Sequence, residues 1–568
     1  MKLFNKKSIT ICTLIVLVLS MIIFEFGYCN VNFIKGVENE YNFSLCRIVC
    51  YAIFIILYFI YKNKFVEVAV ETTKNKYKRI MIYITIIIGV IGIGILSAYA
   101  LSESGNYIRG SSIGIILILS TILFIIYISN DIEKNIIVTA CTFGIIFTFT
   151  TSFNHAIDEK KHFMSALNVS FLNFDYGDNP ITDKSIEQLP QISKFDRIDD
   201  FLKNNYDANT TDEVNKEDIP STPANYNILT YIFSGTGIAL ARMLNGSIID
   251  MYIMGRMMNL ILYTILVYIA MKLLPYKKNI FFIIAFMPYM LLLAASYSVD
   301  GICLGTIYIF VAYCLKIYKE SETISLKQFL ILIVLFIIML IGKGVGYMLI
   351  GVLVFMLPLY KTIKKNKKYL PAIISAGIIL VIIGTFFIIY MKNTKINSDG
   401  DSRGGNQINA TEQLNMILTH PIYDVKIALE HFRVTLLNFA WLSTLHQNTF
   451  FTDKYSSATF FVMMLFILYV SFTEDDFNFK IKDKIILLLA FLFGWGMTSA
   501  ILYLSFTPVG SLYIAGYQAR YIFPILPLLL CCLSNDRVKC IKSENRNTNI
   551  SVCTGIFLFV GLMQLIII

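Results

Sequence analysis

Apolar runs long enough to cross a bilayer recur along the whole chain, from Ser8 to Ile568. A transmembrane helix needs roughly 20 mostly apolar residues, within a range of about 17–25, and shorter runs span where neighbours thin the bilayer or flanking side chains snorkel. On that criterion the sequence predicts spans near residues 8–28, 45–61, 80–101, 113–129 and 136–153. After a long polar segment, others follow near 251–271, 280–296, 301–318, 329–341, 345–360 and 370–391. A second polar segment separates these from spans near 458–471, 485–504, 521–533 and 550–568, about fifteen in all. Runs spread over the chain exclude a soluble enzyme with one anchor and a protein dominated by disorder. Composition agrees, because 56% of the 568 residues are hydrophobic and only 15% are charged, against about 45–50% and about 25% in soluble proteins. The fold class is an all-α polytopic membrane protein. The first run has a basic start, as a signal peptide would, but it is long and lacks a small-residue cleavage site, so it reads as an uncleaved first span.

The net charge of +10 would suit a nucleic-acid partner only on the basic face of a soluble domain. Here Lys and Arg sit in short segments between apolar runs, which makes the surplus a topology signal, and no nucleic acid is expected. The stretch 225–244 is apolar enough to be a span, and counting it would invert everything downstream. If it lies along the membrane surface as an amphipathic or re-entrant helix, the basic clusters at 277–278, 361–368 and 480–484 share a side with the N-terminus and the cluster at 74–79. The positive-inside rule makes that side cytoplasmic. Two large outer loops, 154–249 and 392–455, then face outward. The 11 cysteines include no CxxC pair and lie mostly inside apolar runs, where cysteine behaves as a small hydrophobe, so neither a disulfide framework nor a zinc site follows.

The outward segments carry most of the polar chemistry. Residues 154–218 hold fourteen acids against seven Lys and Arg, and all five histidines (His155, His162, His420, His431, His446) fall on this face. They are scattered without the spacing of a ligand set, so no metal site is assigned to them, and no Walker or GxGxxG motif points to a nucleotide. The most informative stretch, Asn154 to Asn168, begins where the fifth predicted span ends. Read as a helix from Ile157, it places Asp158 and His162 on one face at i, i+4 spacing and turns Phe163 with Leu167 toward the bilayer. That is a surface helix presenting the acid pair Asp158–Glu159 at the outer leaflet. The same residues also read as a solvated acidic helix start, favoured by the helix dipole.

Four further charges stand at the ends of apolar runs or inside them: Arg256, Asp300, Lys343 and Arg520. An ionisable group within a span costs about 2.5–3.5 kcal/mol on insertion scales and marks a site by default. Arg256 and Arg520 also fit as cations that snorkel to the interface. Three cations and several acids on one face nevertheless favour a site, and Asp158, Asp300, Lys343 and Arg520 are expected to line one outward cavity.

These residues also resemble a family. Asp158-Glu159 with His162, Pro223-Ala-Asn-Tyr226, Arg256, Ser298-Val-Asp300, His420-Pro421 and above all Gln518-Ala-Arg-Tyr521 with Pro524 look like the bacterial polytopic membrane proteins known as domain of unknown function 2142. That family is similar in layout to the GT-C glycosyltransferases, such as protein O-mannosyltransferases and the lipid A aminoarabinose transferase. The resemblance covers a core from residue 136 to residue 568 and leaves residues 1–135, about four spans, as an N-terminal extension. One departure is Lys160-Lys161 after the acid pair, where a proline is expected.

The resemblance implies an inverting sugar transferase of the bacterial cell membrane, with a polyprenyl-phosphate-linked donor and an extracytoplasmic acceptor, a cell-wall or surface glycan before a protein. Asp158 would be the general base, with Glu159 and Asp300 orienting the acceptor or tuning the base. Arg256, Lys343 and Arg520, with Gln518 and Tyr521, would meet the donor phosphate. His162, Tyr226 and His420 would position acceptor or loops. No cofactor is assigned, and a divalent metal stays open because paired acids serve metal-using and metal-free members alike. Two rival classes also stay open. A transporter or flippase would be expected to show internal repeats and mid-membrane charges, and neither is seen; a polysaccharide polymerase is the closer rival, since it also acts on lipid-linked glycans with outward arginines.

Overall fold

The computed structural model describes residues 6–29, 44–74, 106–151, 156–173, 226–246, 248–365, 408–438, 442, 456–474, 476–533 and 545–567. The predicted spans at 80–101 and 370–391, along with His155, Pro223 and His446, lie outside the described residues. Those described are helical, with no strand among them. In chain order the helices are α1 (Lys6–Ile23), α2 (Leu45–Lys74), α3 (Asn106–Tyr127), α4 (Ile132–Thr139), α5 (Ile145–Thr150), α6 (Glu159–Ser170), α7 (Ile232–Met243) and α8 (Ile248–Leu273). Then come α9 (Lys278–Ala285), α10 (Pro288–Ala294), α11 (Asp300–Glu320), α12 (Leu326–Met339), α13 (Leu359–Lys365), α14 (Ala410–Thr419) and α15 (Pro421–Phe432). The last are α16 (Ser456–Thr473), α17 (Ile481–Ser505), α18 (Leu526–Leu533) and α19 (Arg546–Ile567).

Among the described residues, six helical stretches are long and apolar enough to cross a membrane: Ile9–Gly27, Leu45–Asn63, Ile132–Thr150, Ile249–Leu273, Asp300–Glu320 and Ile481–Ser505. This is a polytopic membrane protein. Two expected spans are not continuous helices. The run at 280–296 is two short helices, because Pro288 has no N–H to donate and clashes with the preceding turn, which leaves Met287 extended. The run at 521–533 is a 3-10 turn, Ala519–Ile522, followed by the eight-residue α18. Gly342–Met356, by contrast, winds as a 15-residue 3-10 helix. At about 2.0 Å per residue it extends roughly 30 Å, the thickness of the hydrocarbon core, so tighter winding gives a short run the reach of a full span.

The chain divides into two compact units. The first comprises residues 1–268, 285–302 and 541–568. In it α1, α2 and α3 pack together, and α19 packs against α3, α4, α5 and α10. Helix α2 exposes Ile53, Ile56, Leu57, Phe59 and Ile60, as a lipid-facing helix does. Helices α6 and α7 pack closely because Gly235 leaves room for the backbone of Ala166 and the side chain of Val169, which a methyl group would overlap. Phe163, Leu167, Tyr231, Ile238, Tyr252 and Tyr297 form the core beside them.

The second unit comprises residues 269–284 and 303–540. Helix α17 runs along the 3-10 helix and α18, with Gly494 against Ile350 and Ile525. Loops at its basic end are tied by Lys277, whose ammonium bonds the Asp476 carboxylate at 3.0 Å and also donates to the Glu474 carbonyl. Tyr276 stacks on Phe477 at 4.1 Å beside them.

Candidate active site

The acid pair that follows α5 sits in the first unit, and its two members have different fates. Glu159 opens α6 and is 1% exposed. Arg256, on α8 and 0% exposed, grips it with a two-pronged fork, Nε to Oε1 at 2.8 Å and Nη2 to Oε2 at 2.9 Å. Its remaining nitrogen donates to the carbonyls of Thr148 at 3.2 Å and Thr151 at 2.6 Å, the carbonyls left open where α5 ends. The carboxylate also accepts the backbone N–H of Tyr297 at 3.2 Å and of Ala156 at 3.3 Å. Such charge-assisted, bidentate pairs are the strong ones. Three nitrogens of Arg256 and both oxygens of Glu159 are therefore bonded within the protein, and the pair fastens α6 to α5, to α8 and to the turn before α11.

Asp158 is displayed by this clamp. Its backbone is left-handed, φ 61°, a conformation that costs little only for glycine and is tolerated by Asp and Asn. The helix consequently starts at Glu159 and not at Ile157, with Asp158 as the residue that caps it and its carbonyl accepting the His162 N–H at 3.2 Å. The expectation that Phe163 and Leu167 face the bilayer is also corrected. Both are 1% exposed, Phe163 packing on Tyr252 at 4.7 Å and Tyr297 at 5.1 Å, so α6 is a buried helix and not a surface one. Burial follows from α7, which covers it. His162 is buried too, its Nδ1 2.8 Å from the Tyr231 hydroxyl and its ring stacked on Tyr226 at 5.6 Å. Asp158 itself is half-buried.

Asp300 belongs to the same unit. It opens α11 after the Ser296–Asp300 turn, where the Ser298 hydroxyl donates to its carboxylate at 2.8 Å and accepts its N–H at 3.2 Å. Asn259 fixes the turn by donating to the carbonyls of Ser296 at 2.7 Å and Ser298 at 3.1 Å. The Tyr297 hydroxyl donates to α8 at the carbonyls of Met251 and Tyr252, in the space left by Gly255, where any side chain would collide with the ring. Asn259, on α8, and Tyr297, in the turn, frame Asp300 without a sequence signal of their own, whereas Ser298 belongs to the Ser298-Val-Asp300 motif.

The second unit holds Lys343, Gln518, Arg520, Tyr521 and His420. Lys343 follows Gly342, whose φ of +69° lets the chain turn between α12 and the 3-10 helix. Its ammonium stands over the Tyr521 ring at 5.7 Å, and the Arg520 guanidinium stands at 5.5 Å from the same ring, both within cation–π range. Tyr347 fixes that turn by donating to the Tyr521 carbonyl at 2.8 Å. The Gln518 side-chain oxygen is buried with no hydrogen-bond partner among the described residues. His420 is exposed between α14 and α15, with Nδ1 2.9 Å from the Thr419 hydroxyl.

One member of this unit went unmarked as a site residue in the sequence. His431 is buried, stacked on Trp495 at 5.5 Å, edge-on to Tyr517 at 4.9 Å and 3.1 Å from the Ser499 hydroxyl, and burial pushes its pKa down to about 4. Tyr517 in turn meets Tyr521 at 5.5 Å, so an aromatic row leads from the two cations to a neutral imidazole. Among the described residues no three His, Cys, Asp or Glu side chains come together as a metal site.

The family model described as predicted membrane protein (DUF2142) matches residues 141–529. No curated protein and no solved structure matches the chain significantly.

Proposed function

The chain belongs to the DUF2142 family of predicted membrane proteins, and from that premise and the geometry we propose that it is a GT-C-type glycosyltransferase. It takes a sugar from a polyprenyl-phosphate carrier and passes it to a glycan acceptor outside the cell. The observation that carries the reading is the display of Asp158: a half-buried carboxylate in a left-handed turn, at the end of an apolar helix, held beside a buried Glu159–Arg256 pair whose bonds are satisfied.

In this reading about fifteen spans place the N-terminus in the cytoplasm and the two large polar segments outside, with 225–244 and α14–α15 along the outer interface. Asp158 removes the proton from the acceptor hydroxyl as its oxygen attacks the anomeric carbon. The bond from that carbon to the phosphate oxygen breaks, the electron pair leaves with prenyl phosphate, and the anomeric configuration inverts. Asp300, fixed by Ser298, orients the acceptor, with His162 and Tyr226 shaping its approach. Within the second unit, Lys343 and Arg520, both close to the Tyr521 ring and with Gln518 beside them, are the cations suited to a phosphate. Arg256 acts through Glu159: its donors already have protein acceptors, so it sets the position of the base and leaves phosphate contact to the other two cations. A divalent metal is not assigned.

The test is the purified full chain in nanodiscs, assayed for prenyl phosphate release from a panel of lipid-phosphate sugars. Asp158→Asn should lose turnover and keep donor binding. Unchanged turnover in that variant contradicts the reading, and transport of a donor without release would favour a transporter.

A further inference from the structure

Beyond Glu159–Arg256, a second buried ionic network lies in the first unit, where residues ahead of the family match meet α8. Arg47, near the start of α2, forks onto Glu25, in the π-helical turn that ends α1. Nε lies 3.2 Å and 2.9 Å from the two carboxylate oxygens and Nη2 lies 2.8 Å from one of them. The Tyr51 hydroxyl donates to the same carboxylate at 2.8 Å. The other terminal nitrogen of Arg47 reaches Asp250, in the first turn of α8, at 3.5 Å, and the Ser44 hydroxyl donates to Asp250 at 2.8 Å. Glu25, Arg47 and Asp250 are 5%, 7% and 3% exposed.

Apolar contact suffices to anchor a helix pair in a bilayer, whereas buried charges are costly and fix register and partner where they occur. Asp250 is on the helix that carries Arg256, six residues ahead of it. Between them, the carbonyls of Met251 and Tyr252 receive the Tyr297 hydroxyl, and the Tyr297 backbone N–H binds Glu159. Cys46 and Ile113 of the N-terminal helices pack in the same core as Phe163, Tyr252 and Tyr297. A continuous set of contacts thus runs from Arg47 to the acid pair.

We propose that the N-terminal extension is a built-in clamp on the site: Glu25, Arg47 and Asp250 fix the axial position of α8 and, through Arg256 and Tyr297, the position of Glu159 and Asp158. They are positioning residues. The inference rests on this geometry and stands whatever reaction the site performs.

Amide hydrogen exchange of the full chain in nanodiscs tests it. The variant Glu25→Gln/Arg47→Met/Asp250→Asn removes all three charges together, so no buried charge is left without its partner and folding is retained. Peptides covering residues 156–162 and 296–299, which contain the Ala156 and Tyr297 N–H groups bound to Glu159, should exchange several-fold faster than in the parent, while peptides from α17 should not change. Lys6→Ala, which breaks only the exposed Lys6–Glu67 pair, should change neither region. Faster exchange confined to residues 44–51 would overturn the proposal and leave the network a local anchor. If the triple variant fails to accumulate, Arg47→Lys, which keeps the charge and loses the fork, is read by the same peptides: faster exchange at 156–162 and 296–299 supports the clamp, and parent-like exchange there overturns it.

Discussion

Breaking the Glu159–Arg256 pair from one side should be far more damaging than removing it whole. Arg256→Met takes away the two donors that grip the carboxylate and the two hydrogen bonds to the Thr148 and Thr151 carbonyls. Among the described residues, Glu159 would then keep only the N–H groups of Ala156 and Tyr297, with its side chain closed to solvent. Leaving one partner of a buried pair uncompensated costs about 3–5 kcal/mol, and Glu159→Gln, which strands the guanidinium, should cost a similar amount. The joint variant Glu159→Gln/Arg256→Met carries no buried charge and nearly conserves volume. Replacements of that kind are often neutral, so the double variant should lie well above the sum of the singles, with a coupling energy of about 3 kcal/mol, the upper end for contacting residues. Thermal melts in micelles with a thiol-reactive dye suit the measurement, since Cys46, Cys303, Cys314 and Cys531 are buried and free. Additive losses, or a single variant that melts with the parent, would refute the account of this pair as the clamp of the site.

Three further outcomes follow from particular residues. Asp158→Gly should relieve roughly 1 kcal/mol of left-handed backbone strain and abolish turnover, so melting and prenyl phosphate release should move in opposite directions. Burial holds His431 at about 4 against its ordinary 6.5, so between those values the unfolded chain binds a proton that the folded protein does not. Stability should fall as the pH drops through that window, and His431→Phe should flatten the fall in a pH series of melts. Glu474 behaves in the opposite sense: burial, with Asp476 nearby, raises it from 4.5 to about 7, so the folded protein holds a proton there that the unfolded chain has released. Its contribution is lost as the pH rises from 4.5 to 7, and Glu474→Gln should melt higher than the parent above pH 7 and alongside it near pH 4.5.

The membrane class and the six helices that, among the described residues, are long and apolar enough to cross a membrane were legible because hydropathy over 19 or more residues is a property of the local sequence alone. The break in the run at 280–296 was less legible, since its composition suits one continuous helix while Pro288 interrupts the hydrogen-bond ladder. The candidate residues were legible as charges out of place, but their partnerships were not. Nothing local distinguishes Glu159, which folds inward onto Arg256, from Asp158, which stays half-buried, because the difference arises from one left-handed residue and from α8, about a hundred positions later in the sequence. The same holds for α6, which the sequence presents as a surface helix and which α7 covers. His431 went unmarked because a single histidine on an amphipathic helix carries no signal until Trp495 and Ser499 are brought to it.

The most direct test of the central claim is a turnover measurement on the purified full chain supplied with polyprenyl-phosphate sugars and an envelope glycan acceptor, comparing the parent with Asp158→Asn. The account predicts prenyl phosphate release by the parent, and donor binding without release by the variant. Equal release by both proteins would contradict it.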